Sequence, residues 1–301
     1  MRQALLSTLY RSFPFDLKAD CREFSAPVAS LQISCVINFY GRLDLLDGIL
    51  FSLAAQDFPR DNFEVVLVED QGGTDEGRAL CESFADRLTI VYRPLDKNFG
   101  KMGYSRNFGL AQTRGEIVLF LDDDTVLLQK HFLTRLHAEF AAKQHLDALV
   151  PHGFASFALV EDRYDFHDPY FMTSRCMAYR RSVLVELQGF MSGFVGQEDV
   201  EFVIRFTMAG KNAENCSALE YYHPPLLVPN ANKAMAVGAS FCQLKGRYPL
   251  LLWLLVLFNC CRHAPLMVFS KRQYQEMGRF GWGFLKGVFN CLLGRKDFKY
   301  S

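Results

Sequence analysis

The first 122 residues alternate four times between a short apolar run and a segment of different character, and this narrows the possible folds more than any other feature. Leu31 to Phe39 (LQISCVINF) is continuously apolar over the length of a strand. Leu43, Leu46, Leu50 and Leu53 then recur at helical spacing until Phe58-Pro59 stops them. Phe63 to Val68 is a second run, Leu88 to Tyr92 a third and residues 116–121 a fourth. Between them lie a turn over 69–75, a helix to about Ala85, a Gly-rich loop from Asn98 to Gly103, and a helix ended by Gly115. Runs that are apolar throughout suit strands covered on both faces. Joined by helices, they predict a Rossmann-like α/β fold with a mostly parallel central sheet. Downstream, Phe132, Leu136 and Phe140 predict a helix over 132–142, and a further helix runs from near Gln197 to Gly210. Ala218 to Tyr222 is strand-like, while residues 151–170, rich in Phe, Asp and His, read as a long functional loop.

The fourth run ends in Asp122-Asp123-Asp124. Adjacent carboxylates raise one another's pKa, so such a cluster at the mouth of an apolar strand is unfavourable without a partner. A divalent cation would supply one, since hard oxygen ligands suit Mg2+ or Mn2+. The carboxyl ends of strands in an open α/β sheet are also where ligands bind. A solvated turn that caps the next helix is the structural alternative.

Five segments, in order, resemble the family-2 glycosyltransferases of the GT-A fold over residues 31 to about 225. Asn38-Phe39-Tyr40 resembles the family's T-x-Y/N, and Val68-Glu69-Asp70-Gln71-Gly72-Gly73-Thr74-Asp75 its V-D-D-G-S-x-D. Ser105-Arg106-Asn107-Phe108-Gly109-Leu110 resembles A-R-N-x-G-L, and Gly115-Glu116 through Asp124 resembles G-E-x-I-x-F-L-D-x-D. Gly189-Phe190, followed by Gly196-Gln197-Glu198-Asp199-Val200-Glu201-Phe202 and Arg205, resembles G-G-F…G-x-E-D-x-D-L…R.

The resemblance implies an inverting, metal-dependent enzyme that uses a UDP- or dTDP-linked sugar. In it Asn38, Tyr40 and Asp70 would hold the nucleotide, with Tyr40 stacking on the base and Asp70 accepting its imide N–H. Lys101 and Arg106 would lie beside the diphosphate. Asp122 or Asp123 would meet the ribose, and Asp124 would bind Mn2+ or Mg2+, with His223 as a further candidate ligand; three consecutive aspartates leave this register open by one residue. Asp199, after Glu198 at a helix start where the dipole favours a carboxylate, would be the general base. Each residue also has an ordinary structural reading. Tyr40 could be a packed aromatic, Asp70 an Asx turn, Lys101 a solvated cation and His223 a solvated loop histidine.

The last part differs in kind. Residues 231–301 carry 11 Lys and Arg against 2 Asp and Glu, which leaves 22 against 31 upstream. A net −9 body and a net +9 tail thus cancel to zero overall. Tyr248 to Phe258 is almost wholly apolar, but Asn259, Arg262 and His263 interrupt it before the ~20 residues a spanning helix needs. Phe280, Trp282, Phe284, Leu285, Val288 and Phe289 mix with Arg279, Lys286, Arg295 and Lys296, as in helices lying on an anionic membrane surface. A helical subdomain packed on the catalytic core or on a second subunit is the alternative. The expected division is an extension over 1–30, a GT-A catalytic domain over 31–228 and a helical, membrane-associated tail over 229–301.

The nine cysteines are scattered, with no CxxC pair, as in a reduced cytosolic chain. Asp16, Lys18 and Asp20 follow the short apolar patch Ala4-Leu5-Leu6 too closely for a signal peptide. The sequence therefore predicts a cytoplasmic enzyme, peripheral on the inner face of the cell membrane, working on a glycan or lipid-linked glycan in cell-surface polysaccharide synthesis. No nucleic-acid partner is expected. A polyprenyl-phosphate glycosyltransferase and a non-catalytic sugar-nucleotide-binding protein are the rivals.

Overall fold

The computed structural model describes residues 3–155, 169–170, 172–224 and 231–295. Helix α1 (Gln3–Ser12) leads to β1 (Ile33–Phe39), α2 (Leu43–Ala54), β2 (Phe63–Glu69), α3 (Asp75–Ser83), β3 (Ile90–Pro94), α4 (Met102–Gln112) and β4 (Ile117–Asp122). Then come β5 (Val126–Leu127), α5 (Phe132–Ala142), β6 (Ala148–Ala155), β7 (Cys176–Arg180), α6 (Arg181–Glu186), α7 (Glu198–Met208) and β8 (Ala213–His223). Helices α8 (Ala231–Phe241), α9 (Leu250–Cys261) and α10 (Arg272–Leu292) follow.

The strands form one eight-stranded sheet in the order β3-β2-β1-β4-β7-β6-β8-β5. From β3 to β4 all pairs are parallel. Beyond β4 the sheet is mixed: β7 runs antiparallel to β4 and β6, β6 and β8 pair in parallel, and β5 closes the edge antiparallel to β8. This is the GT-A fold with an appended helical C-terminal region. Residues 151–155 of the expected loop are the end of β6, and 156–168 and 171 lie outside the described residues.

Strands β1, β2 and β4 are apolar on both faces because both faces are covered. Ile33, Cys35 and Ile37 of β1 join Val65 and Leu67 of β2 in one core, and Val36, Val66 and Val68 point into the other. A third core joins the tail to this body: Leu6 of α1 and Ile204 and Met208 of α7 pack with Val237, Leu252, Trp253 and Phe284. Tyr248 adds a buried polar tie, its hydroxyl donating to Glu201 Oε1 at 2.6 Å. Arg205 is fully buried and donates to the carbonyls of Leu17, Leu187 and Gly189 as well as to Glu201. Helices α8 and α10 meet through glycine, for a Cβ on Gly238 would overlap the Phe284 carbonyl and one on Gly287 the Met235 carbonyl.

The interruption expected at 259–263 falls where α9 ends, and the chain continues into a tight turn, Ala264–Val268. Taken together, the 19 residues Leu250–Val268 have a mean hydropathy of 1.6, long and apolar enough to cross a membrane by length and composition, and 22% of the stretch is buried. The expected boundary at 228 lies outside the described residues.

Candidate active site

Parallel pairing of β1 with β4 sets Asn38 opposite Asp122 at the carboxyl end of the sheet. The turn after β4 is closed by Thr125 N–H donating to the Asp122 carbonyl at 3.1 Å, so all three aspartates face one corner. Pairing of Val126 with Tyr222 brings the next residue of β8, His223, to that corner. His223 Nε2 lies 3.1 Å from Asp124 Oδ1 and 3.9 Å from Asp122 Oδ2.

One ligand atom from each of Asp122, Asp124 and His223 falls within a 4.8 Å cluster. His223 Nδ1 is 2.8 Å from the Pro224 carbonyl, which can only accept, so Nδ1 carries a proton. In the neutral ring Nε2 then turns a lone pair toward Asp124 Oδ1, a buried oxygen with no hydrogen-bond donor of its own. Two acceptors facing each other at that distance need a proton or a metal ion between them. Two carboxylates and an imidazole fit Mn2+ or Mg2+ as a donor set.

The cluster also has an organic counter-ion. Arg42 Nη1 is 3.1 Å from Asp123 Oδ1 and its Nη2 is 2.8 Å from Asp124 Oδ2. Burial pushes the Asp123 carboxyl up to about 6, with Arg42 pulling down and the neighbouring aspartates pushing up. Burial works the same way on Asp124, but His223 and Arg42 outweigh it and hold that carboxyl below its ordinary value.

Behind the triple aspartate lies a second ionic layer. Arg106, on α4, is 5% exposed; its Nη2 donates to Asp122 Oδ1 at 3.0 Å and its Nε to Glu198 Oε1 at 2.6 Å. Glu198 opens α7 and is 2% exposed. Burial drives its carboxyl up to about 7 even though Arg106 draws it down. Asp199, beside it and half-buried, accepts from Ser174 N–H at 3.0 Å and from its neighbour Val200 N–H at 2.8 Å, so two backbone amides fix its orientation.

The remaining candidates spread along the same end of the sheet. Tyr40 is 61% exposed, the state of a ring available for stacking. Asn38 is buried and donates to Ser105 Oγ at 2.6 Å, while its Oδ1 lacks a donor. Arg106 lies at this end too, buried, with Nε and Nη2 bonded to Glu198 and Asp122. Asp70 accepts from Gln71 N–H at 2.8 Å and Gly100 N–H at 2.8 Å, and so clamps the Gly-rich loop. Lys101 on that loop is exposed, its Nζ donating to Asn98 Oδ1 at 3.0 Å. Sequence reasoning missed Arg42 and the Ser174 amide. Arg42 carried one signal, its place after Gly41 in the turn that follows β1; the Ser174 amide carried none.

Comparison with known proteins shows the family and the fold. The family model described as glycosyl transferase family 2 matches residues 34–193, more than half of the chain. The poly(ribitol-phosphate) beta-N-acetylglucosaminyltransferase TarS of Staphylococcus aureus is 33% identical over 120 residues, 40% of this chain but 20% of that protein's length. The O-antigen chain rhamnosyltransferase RfbN of Salmonella typhimurium is 26% identical over 214 residues, 64% of this chain and 66% of its own. The crystal structure of TarS 1–349 in complex with UDP superimposes with a TM-score of 0.55 at 21% identity, covering 88% of this chain and 90% of that one. The Pyrobaculum calidifontis mannosyltransferase PcManGT, solved with GDP-Man and Mn2+, gives a TM-score of 0.60 at 16% identity over 98% and 96%. At these identities the structural likeness shows the fold.

Proposed function

We propose a reaction for this chain from one premise: it belongs to glycosyl transferase family 2. The reaction moves a sugar from a UDP- or dTDP-linked donor to a hydroxyl of a glycan or lipid-linked glycan, with inversion, in cell-surface polysaccharide synthesis. One observation carries it. Two acidic groups from distant segments, Asp122–Asp124 and Glu198-Asp199, meet at the carboxyl end of the sheet, joined through Arg106. The relatives named for polysaccharide glycosyl transfer, and the neighbours bound to UDP or GDP-Man, support the substrate class.

In this reading Asn38, Tyr40, Asp70 and Lys101 bind the nucleotide sugar, and Asp123 orients the ribose. Asp122, Asp124 and His223 hold Mn2+ or Mg2+, which when bound neutralises charge on the departing diphosphate. Asp199 takes the proton from the acceptor hydroxyl as its oxygen bonds to the anomeric carbon and the bond to the diphosphate breaks. The amides of Ser174 and Val200 keep Asp199 aimed. A single displacement inverts the centre and needs no enzyme nucleophile.

The body over 31–228 is the catalytic domain in this reading, and the tail over 229–301 docks it on the inner membrane face. Leu251, Leu254 and Phe258 are exposed on one side of α9, and Arg279, Trp282, Lys286 and Phe289 on one side of α10. An anionic bilayer would meet such a surface with both its charge and its apolar boundary. The test is product formation from a panel of nucleotide sugars after a thermal-shift screen finds the donor. A stabilising donor with turnover lost in Asp199→Asn supports the reading. Turnover that persists in that variant points to an acceptor already ionised, such as a polyprenyl phosphate. Binding without turnover on any acceptor class overturns catalysis.

A further inference from the structure

We propose that Arg42 is a resident counter-cation of the acidic corner, and that a divalent metal ion binds there in competition with it. The inference rests on the metal reading above. The guanidinium grips two carboxylates at once, Asp123 Oδ1 through Nη1 and Asp124 Oδ2 through Nη2. It therefore holds one oxygen of Asp124 while His223 faces the other. An ion on Asp124 Oδ1 would sit about one carboxylate's width from a full positive charge on Oδ2, and like charges at that spacing repel strongly where water is scarce. Asp123 and Asp124 are largely buried, at 21% and 12% exposure, so some cation must attend them whether or not metal is present.

The local backbone is built for a side chain that can leave. Gly41 and Arg42 are consecutive left-handed residues, at φ 60° and 50°. That conformation is unfavourable for arginine and persists only where its surroundings hold it. The Arg42 carbonyl accepts from Leu45 and Leu46 N–H, so the backbone is anchored at the start of α2 independently of the side chain. The guanidinium is 46% exposed and has solvent to move into. Arg106, the other arginine touching the triple aspartate, is enclosed on all sides and cannot exchange in this way.

The test is Mn2+ titration of the nucleotide-free protein by calorimetry, for wild type, Arg42→Gly, Arg42→Gln and Arg42→Gly/Asp124→Asn. Glycine accepts the left-handed φ without strain, so that variant folds; glutamine keeps a polar side chain but removes the charge and the guanidinium. Both single variants should bind Mn2+ about tenfold more tightly than wild type, the scale of losing a charge-assisted contact at a half-exposed group. Mn2+ should also raise their melting temperature more than it raises that of the wild type. Unchanged or weaker binding in both Arg42 variants, with binding still lost on Asp124→Asn, overturns the competition and leaves the metal site standing. Equal binding in Arg42→Gly and in the double variant places Mn2+ away from Asp124, which overturns the metal reading and the role of Arg42 with it.

Discussion

The two acidic groups of this cleft are neutralised in opposite ways. Asp123 and Asp124, largely buried themselves, face a half-exposed arginine and a histidine ring that is 13% exposed. Glu198 faces Arg106, and both are almost fully enclosed. Burial of an ion pair is unfavourable unless geometry and additional hydrogen bonds compensate, and removing one partner is far worse than removing both. The inner pair is therefore a fixed strut between α4 and α7, and the outer cluster is a place where one cation can replace another. The same residue types in the same cleft do different work because one group has a half-exposed counter-cation and the other an enclosed one.

The strongest way to break this comparison is to remove the two arginines in turn. Arg106→Met strands Glu198 and should destabilise the protein by about 3–5 kcal/mol, read from urea unfolding. Arg42→Gly should shift the same measurement by under about 2 kcal/mol, because the guanidinium is half-exposed, His223 remains beside Asp124 and glycine relieves the left-handed backbone. Equal losses would show that both layers are structural. Next in size is Asp199→Asn, which should lower turnover roughly a hundredfold or more with donor affinity and stability unchanged; a rate near wild type removes Asp199 from the chemistry.

His223→Ala sharpens the outer half. It should weaken Mn2+ binding about tenfold, in the range seen when a group supporting a metal site is lost. Unaltered affinity would make His223 a counter-ion only. The smallest effect is on pH dependence. The folded Glu198 carboxyl titrates at about 7, above its ordinary 4.5, so below 7 the folded state holds a proton that the unfolded chain releases, and the contact with Arg106 becomes a full ion pair only as that proton leaves. Its contribution to stability is complete below about 4.5 and fades as pH rises through 7. Glu198→Gln should flatten the fall in unfolding free energy between about pH 5 and 7.5 relative to wild type. Parallel curves for the two proteins would show that Glu198 stays ionised across that window.

Much of this could be read in the chain. The four apolar runs became β1 to β4: β1, β2 and β4, covered on both faces, leave an unbroken hydrophobic signature, and β3 a shorter one at the half-exposed edge. The mixed half was hidden, since β7 and β8 reach their partners by long crossings that no local pattern encodes. The family resemblance makes Asp124 and His223 companions, and the fold sets them 3.1 Å apart. The fate of Arg106 was illegible for a physical reason: its buried partner Glu198 lies 92 residues away, and whether a cation is enclosed or exposed depends on packing that spacing does not show. Arg42 escaped notice because its role arises from two successive left-handed residues, and only the first, Gly41, advertises that backbone in the sequence.

The glycine contacts between α8 and α10 have a consequence for how the tail can vary. Where two backbones touch, the choice among twenty side chains collapses to one. Gly238 and Gly287 should therefore tolerate no replacement, while Trp282 and Phe289, exposed on the other side of α10, are left almost unconstrained by packing. A saturation library across residues 231–295 would show this as a sawtooth of survival along the helices. Any deep tolerance dip at Trp282 or Phe289 would then record a demand from outside the chain, and would locate the surface that imposes it.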